Sequence, residues 1–305
     1  MTRNEVMKEE PMEPHNSPIL LTSLRQRIES TTDLPAMPEV AQALLRLNSD
    51  PNGNINDVVE IIETDPSIAA QILRYARSAF FGFRGKINSI HQAVTAVLGY
   101  GLTIDIALGL SLGKAFSIPN YGPMGLYPFW QHSIYSAALI ERLIQIMPRQ
   151  NRPLPGLGFL CGLLHNFGVL LVAHLFKKEA SMLQQIILAN KDKSVVELER
   201  QVLGTDHMEI GVWLMRSWNL QTEIQVAVAE HHHEQYNDKH ASYSRLSLLA
   251  DRLLQQHGIG DAESTELPED ILSSLGISAQ QAKEQLENII NSAQDLDQLA
   301  QQFAA

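Results

Sequence analysis

The segment Gly162 to Leu171, GLLHNFGVLL, sets an imidazole beside a side-chain amide at His165–Asn166, inside the longest apolar region of the chain. Apolar segments seldom bury such groups without a partner for each, so the pair points to a site. Other histidines follow the same half of the chain: His132 in FWQHSIYSA, His207 in TDHMEIGVWL, and His231 and His232 in VAEHHHEQY, with Asp251 after them in LLADRLL. Imidazole and carboxylate are the ligand types that hold iron, manganese, nickel or zinc in a mixed nitrogen and oxygen site. A helical bundle can aim such groups inward from separate turns. No two of these histidines have the i, i+4 spacing of a zinc-protease helix. Spacing alone therefore leaves open a set of ordinary hydrogen-bonded or surface histidines. His231, His232 and His233 are consecutive, and successive helix residues differ in direction by about 100°. All three can face one point only if the helix ends there, and His233 is read as a solvated helix end. His174 follows His165 by about 2.5 helical turns, points away from it and is read as structural.

The elements that must position these groups are helical almost throughout, by apolar periodicity. MPEVAQALLRL puts Val40, Leu44 and Leu47 on one face. INDVVEIIETDPSIAAQILRYA should break at Asp65–Pro66, where Asp65 caps a new helix and Pro66 fits its first turn. Ser194 with Glu197, Asp206 with Glu209 and Ser278 with Gln281 have the spacing of reciprocal capping boxes. Alternating strand patterns and Asn-Gly hairpin turns are absent from the sequence, and the expected class is all-α. SIPNYGPMGLYP, residues 117–128, divides a first helical half (19–116) from a second (129–258). Residues 1–18 are polar and proline-spaced and are expected to form a disordered tail. Residues 259–305 form a C-terminal extension: the polar stretch GIGDAESTELPED, then an amphipathic helix with the stripe Ala282, Leu286, Ile289, Ala293 and Leu296. That stripe is expected to pack on the bundle, the alternative being a partner helix.

Composition narrows the function classes. At 305 residues, 45% hydrophobic and 19% charged, the chain has material for a large core. One cysteine, Cys161, excludes an internal disulfide and a thiolate zinc cluster and suits a reducing cytoplasm. The net charge of −11 and the lack of a Lys/Arg cluster argue against nucleic acid as the main partner. The N-terminus has no apolar signal-peptide core. From Pro153 to Phe176 there is no Asp, Glu, Lys or Arg, but prolines, glycines, two histidines and Asn166 interrupt the run. A buried helix pair is expected there and not a membrane span. Asp105, flanked by apolar residues, is placed at the surface, with a buried pairing to Lys114 or Arg74 as the alternative. RYARSAFFGFRGK, from Arg74 to Lys86, mixes aromatics with basic residues and admits a nucleotide- or RNA-binding reading. Trp213 and Trp218 suit core or half-core packing.

The chain resembles the HDOD family of bacterial signalling proteins, relatives of the HD and HD-GYP metal phosphohydrolases. LPAMPEVAQALLRL, VVEIIETDPSIAAQILRYARSAFFG and SIHQAVTAVLGYGL carry the resemblance in the first half; LGFLCGLLHNFGVLLVAHLF and DHMEIGVWLMRSWNLQTEIQVAVAEHHHE carry it in the second. It spans about Leu34 to Asp251 and implies an all-helical fold, with the Arg74–Lys86 stretch as a helix end and loop. By motif context it matches His132 to the family's first histidine, His165 to the histidine of the His-Asp pair, His207, His231 and His232 to the later histidines, and Asp251 to the distal acid. Asn166 stands where the pair's Asp belongs, and Val169 where HD-GYP enzymes carry a lysine.

Asparagine offers one neutral carbonyl oxygen and two donors in place of an anion that can bridge two cations. With Asp251 as the one assignable carboxylate, two close divalent ions would repel with little compensation, which argues against a two-metal hydrolase. What remains is one divalent transition-metal ion (iron, manganese, nickel or zinc) on the seven candidate residues, or no metal and a hydrogen-bonded histidine network in the core. The expected function is a cytoplasmic signalling or regulatory module that acts through contacts with other signalling proteins, with no nucleic acid or membrane partner. The alternatives are a metal-dependent phosphohydrolase acting on a phosphodiester or nucleotide, and a non-enzymatic sensor of a nucleotide or metal in the old catalytic pocket.

Overall fold

Helix boundaries follow the local capping chemistry. The computed structural model describes residues 34–304, apart from Arg84, residues 119–121 and 123–124, and Pro155. The expected tail at 1–18 and part of the 117–128 linker lie outside the described residues. In the first half α1 (Glu39–Asn48) and α2 (Ile55–Glu63) are followed by α3 (Pro66–Arg77), α4 (Ile90–Ala93), a π-helical turn (Val94–Leu98) and α5 (Tyr100–Gly113). The Asp65 carboxylate accepts from the backbone N–H groups of Ser67 and Ile68, and Pro66 begins α3, so the expected break is where the sequence placed it. Arg77 ends α3 by donating to the carbonyl of Ile87, which ties the Arg74–Lys86 stretch into a helix end and loop.

The second half runs α6 (Leu126–Ile146), α7 (Leu157–Leu164), α8 (Phe167–Leu175), α9 (Lys177–Ala189), α10 (Val195–Leu203), α11 (His207–Ser217), α12 (Thr222–Glu230) and α13 (Ala241–Gln255). After it come α14 (Glu269–Leu275), α15 (Ala279–Ile290) and α16 (Ala293–Phe303). There is no strand among the described residues, and the fold is all-α. The long helix α6 is the axis: α7, α13, α15 and α16 all pack on it. The two halves join where α5, buried on nearly every side from Thr103 to Leu112, lies between α1 and α7. A helix apolar all round belongs in such a place. Leu157–Leu175 is long and apolar enough to cross a membrane by composition, but it is the expected helix pair, 89% buried in the bundle and broken at His165–Asn166.

Several expectations change. Asp105 is buried, 7% exposed, and not at the surface; α5 carries no solvent-facing stripe for it. Lys114 pairs instead with Asp65 at 2.5 Å. Of the three capping boxes only Ser278–Gln281 is reciprocal. At Ser194 and Asp206 the cap accepts from the third residue's N–H, but the return bond is missing, because the Ser194 hydroxyl donates to Glu263 and Glu209 accepts from Thr205 at 2.6 Å. The C-terminal stripe does bury Ala282, Leu286, Ile289 and Leu296, yet it belongs to two helices broken at Asn291–Ser292. Trp218 is buried and donates from its indole N–H to the carbonyl of Pro35, and Trp213 is half-buried.

Candidate functional site

Helix ends aim three histidines at one point. His165 follows α7, and its Nδ1 donates to the carbonyl of Gly162 three residues back, at 2.8 Å. His231 follows α12 and repeats the device with Val228 at 2.9 Å. Each bond satisfies a carbonyl that a helix C-terminus leaves free and commits Nδ1 as the donor. His207 opens α11. Glu199 of α10 accepts both its backbone N–H, at 3.0 Å, and its Nδ1–H, at 2.7 Å. All three rings thus turn Nε2 inward, held as metal-binding imidazoles are held by their outer partners. Because α12 ends at Glu230, His232 also faces in, while His233 faces solvent and pairs with Glu230 at 2.7 Å. His174 sits apart, accepting from the backbone N–H of Ser117.

The seven candidate residues, His132, His165, Asn166, His207, His231, His232 and Asp251, come together in one pocket of the second half. The Nε2 atoms of His132 and His165 are 2.8 Å apart, and those of His207 and His231 3.2 Å. The rings of His231 and His232 lie with centroids 4.3 Å apart, tilted by 44°. Asp251, inside α13, lies 3.6 Å from His132 Nε2 and 4.0 Å from His232 Nδ1. The close crossing of α8 and α11 makes this convergence steric: a Cβ on Gly168 would sit 1.9 Å from the carbonyl oxygen of His207.

Two groups escaped the sequence reading. Glu199 is one. It takes a place on the buried face of α10 with Val196 and Leu203, at helical spacing, which was a legible signal. Asp261 is the other, from the polar stretch after α13. Asn166 Nδ2 donates to both of its oxygens at 3.3 Å. Its Oδ1 is 3.9 Å from His132 Nε2, and its Oδ2 is 3.8 Å from both His207 Nε2 and His232 Nε2. The loop enters through Gly260, at φ +112°, where a Cβ would lie 2.4 Å from Asp251 Oδ1. That conformation and that gap suit glycine alone. A cavity of about 280 Å³ opens onto His132, Asn166 and Asp261, with Val169 and Ile187 on its apolar wall.

Burial and neighbours divide the charges. Burial, then His132, hold His165 down at about 3, and burial with the adjacent rings holds His231 well below the usual imidazole range. Burial also opposes charge on His207, but Glu199 outweighs it and raises the imidazole to about 9. Burial, then the Asp261 charge, push Asp251 up to about 6. Burial opposes charge on Asp261 as well, yet the histidines around it keep it an anion.

The residues fit a divalent transition-metal ion. His207, His231 and His232 form one group of nitrogen donors, and His132, Asp251 and Asp261 a second, mixed group. Among the described residues, His132 Nδ1, His232 Nε2 and Asn166 Oδ1 are buried with no hydrogen-bond partner, so a purely internal network leaves these polar atoms unsatisfied.

The comparisons with known proteins agree with the fold. The solved structure of a candidate signal transduction protein from Marinobacter aquaeolei VT8 superposes with a TM-score of 0.80 at 29% identity, over 95% of this chain and 68% of that one. An HDOD domain protein of unknown function from Geobacter sulfurreducens gives 0.72 at 23% identity, over 92% and 98%. An uncharacterized protein of Treponema pallidum (strain Nichols) is 22% identical over 285 residues, 92% of this chain; the chain spans about half, 53%, of that relative's length. The HDOD domain profile matches residues 34–234, and the chain belongs to the HDOD family.

Proposed function

We propose that this chain is a regulatory signalling module that acts through contacts with other proteins and does not hydrolyse phosphoesters. The observation that carries the reading is the pairing of Asn166 with Asp261. Where the hydrolase relatives place an acid in the His-Asp pair, this chain has a neutral amide, and the amide is engaged by a loop carboxylate that fills the centre of the pocket. A catalytic metal site keeps a coordination position open for water or substrate, whereas a structural site is closed by protein groups. Val169 also lines the entrance cavity, so no cation meets a phosphate at that position. The likeness to a candidate signal transduction protein points the same way.

A second reading, a metal-dependent phosphohydrolase acting on a phosphodiester or nucleotide, is favoured by the cavity that reaches His132, Asn166 and Asp261. A divalent ion held by His132, His165, His207, His231, His232 and Asp251 would acidify a bound water. The experiment that separates the two is turnover of bis(p-nitrophenyl) phosphate and of cyclic dinucleotides with added manganese, iron or nickel. The regulatory reading expects none. Turnover lost both in His165→Ala and on chelation would overturn it in favour of the hydrolase.

A further inference from the structure

The carboxylate of Asp261 spans the two donor groups of the pocket. Oδ1 faces His132, and Oδ2 faces His207 and His232. The separations, 3.8 to 3.9 Å, are too long for hydrogen bonds. They are the separations of donors that share a cation, since two ligands each about 2.0–2.2 Å from one ion sit roughly 3–4 Å apart. The distances from Asp251 to His132 and His232, 3.6 and 4.0 Å, belong to the same class. The carboxylate oxygens of Asp251 and Asp261 also lie within 4.8 Å of each other, while the backbone N–H of Asp261 donates to Asp251 Oδ1 at 3.4 Å. Like charges so placed call for cations between or beside them.

We propose that Asp261 is the bridging carboxylate of a two-ion metal centre, standing in from the loop after α13 for the acid that Asn166 lacks. One divalent ion sits among His132, His165, Asp251 and Asp261 Oδ1, the other among His207, His231, His232 and Asp261 Oδ2. Asn166 has lost one negative charge and Asp261 returns it, so the argument from charge against two ions no longer holds. The amide of Asn166 takes the outer role, steadying the new bridge by donating to it. Gly260 is the adaptation that admits the loop, because any side chain there would strike Asp251 and His132. The buried, unpartnered His232 Nε2 is then a ligand. The inference concerns the pocket of the regulatory reading without depending on it, since metal content and turnover are measured separately.

The test uses the full chain purified without a histidine tag, loaded with excess manganese(II), passed through a desalting column and analysed for metal per chain. Wild type is expected to retain two ions, Asp261→Asn one or fewer, and Asn166→Asp/Asp261→Asn two again, because the bridge returns to the position of the pair. Thermal melting of each variant, with and without chelator, shows that it is folded and reads the same loss independently: the chelator-induced fall in Tm should shrink at least twofold in Asp261→Asn and return in the double variant. Wild type that holds no ion or one ion overturns the bridge. Equal metal content in wild type and Asp261→Asn overturns it as well. A double variant that stays at the Asp261→Asn value overturns the exchange of roles with Asn166.

Discussion

Asp105 on α5 and Asp261 in the loop after α13 are both carboxyl groups drawn into a helical bundle, and their surroundings treat them in opposite ways. Around Asp105 are apolar side chains, the backbone at Gly156 and, nearby, a second largely buried acid, Glu141. Burial and then Glu141 push Asp105 up to about 8, so it is mostly neutral at pH 7. The cation that the sequence offered it, Lys114, is bonded to Asp65. Around Asp261 stand three histidines and an amide, and it stays an anion. Burial alone turns a carboxyl into a neutral polar group, and burial among convergent imidazoles makes it part of a charge system. The second arrangement gathers several nitrogen and oxygen donors within 4.8 Å of one another.

The comparison can be broken most sharply at Glu199. If the pocket needs its acids, Glu199→Ala leaves His207 buried with its Nδ1 unpartnered, and the loss of one member of a buried pair costs about 3–5 kcal/mol. Urea denaturation of the variant against wild type measures this. A cost below about 1 kcal/mol would mean that His207 needs no acid and that the two buried sites differ less than their geometry indicates.

A smaller effect of opposite sign is expected at Asp105. Its folded pKa, about 8, lies above the ordinary value of 3.8, so between those limits the native state binds more protons than the unfolded chain. Its stability contribution is therefore intact below about pH 4 and is lost as pH rises towards 8. Asp105→Asn, which cannot ionise, should overtake wild type by on the order of 1–3 kcal/mol at pH 9 and match it near pH 4. Parallel stability curves for the two proteins from pH 4 to 9 would show that Asp105 is solvated or paired.

The smallest effect sharpens the boundary of the pocket. His233 is adjacent in sequence to His232, yet its ring is half exposed and pairs with Glu230. His233→Ala should change stability by no more than about 0.5 kcal/mol, and it should leave manganese retention as in wild type. A loss of bound metal in His233→Ala would extend the site beyond the two inward histidines.

The family resemblance, more than spacing, led to His132, His165, His207, His231, His232 and Asp251, because residues so far apart in sequence carry no mutual geometry until helices pack. Glu199 was legible in principle as a charged residue on an apolar helix face. Asp261 was not: GIGDAESTELPED looks like any polar connection, and nothing in it records that the chain doubles back over α13. Asp105 was misplaced because a single acid in an apolar run fits a surface position and a buried one equally well from local pattern.

The amino-acid sequence by itself determined the helices, their starts at Asp65–Pro66 and Ser278, a buried helix pair between Pro153 and Phe176 and the loss of the pair's acid. Those are consequences of side-chain periodicity, capping and residue type, all acting within a few residues along the chain. Tertiary structure alone decided which acid fills the pocket and which acid goes neutral. Those outcomes depend on contacts between elements: α8 meeting α11 at Gly168, α10 delivering Glu199 beneath His207, and a loop that only Gly260 can carry past Asp251. The charge on a buried group is set by what packs around it, and that neighbourhood exists only once the helices have met.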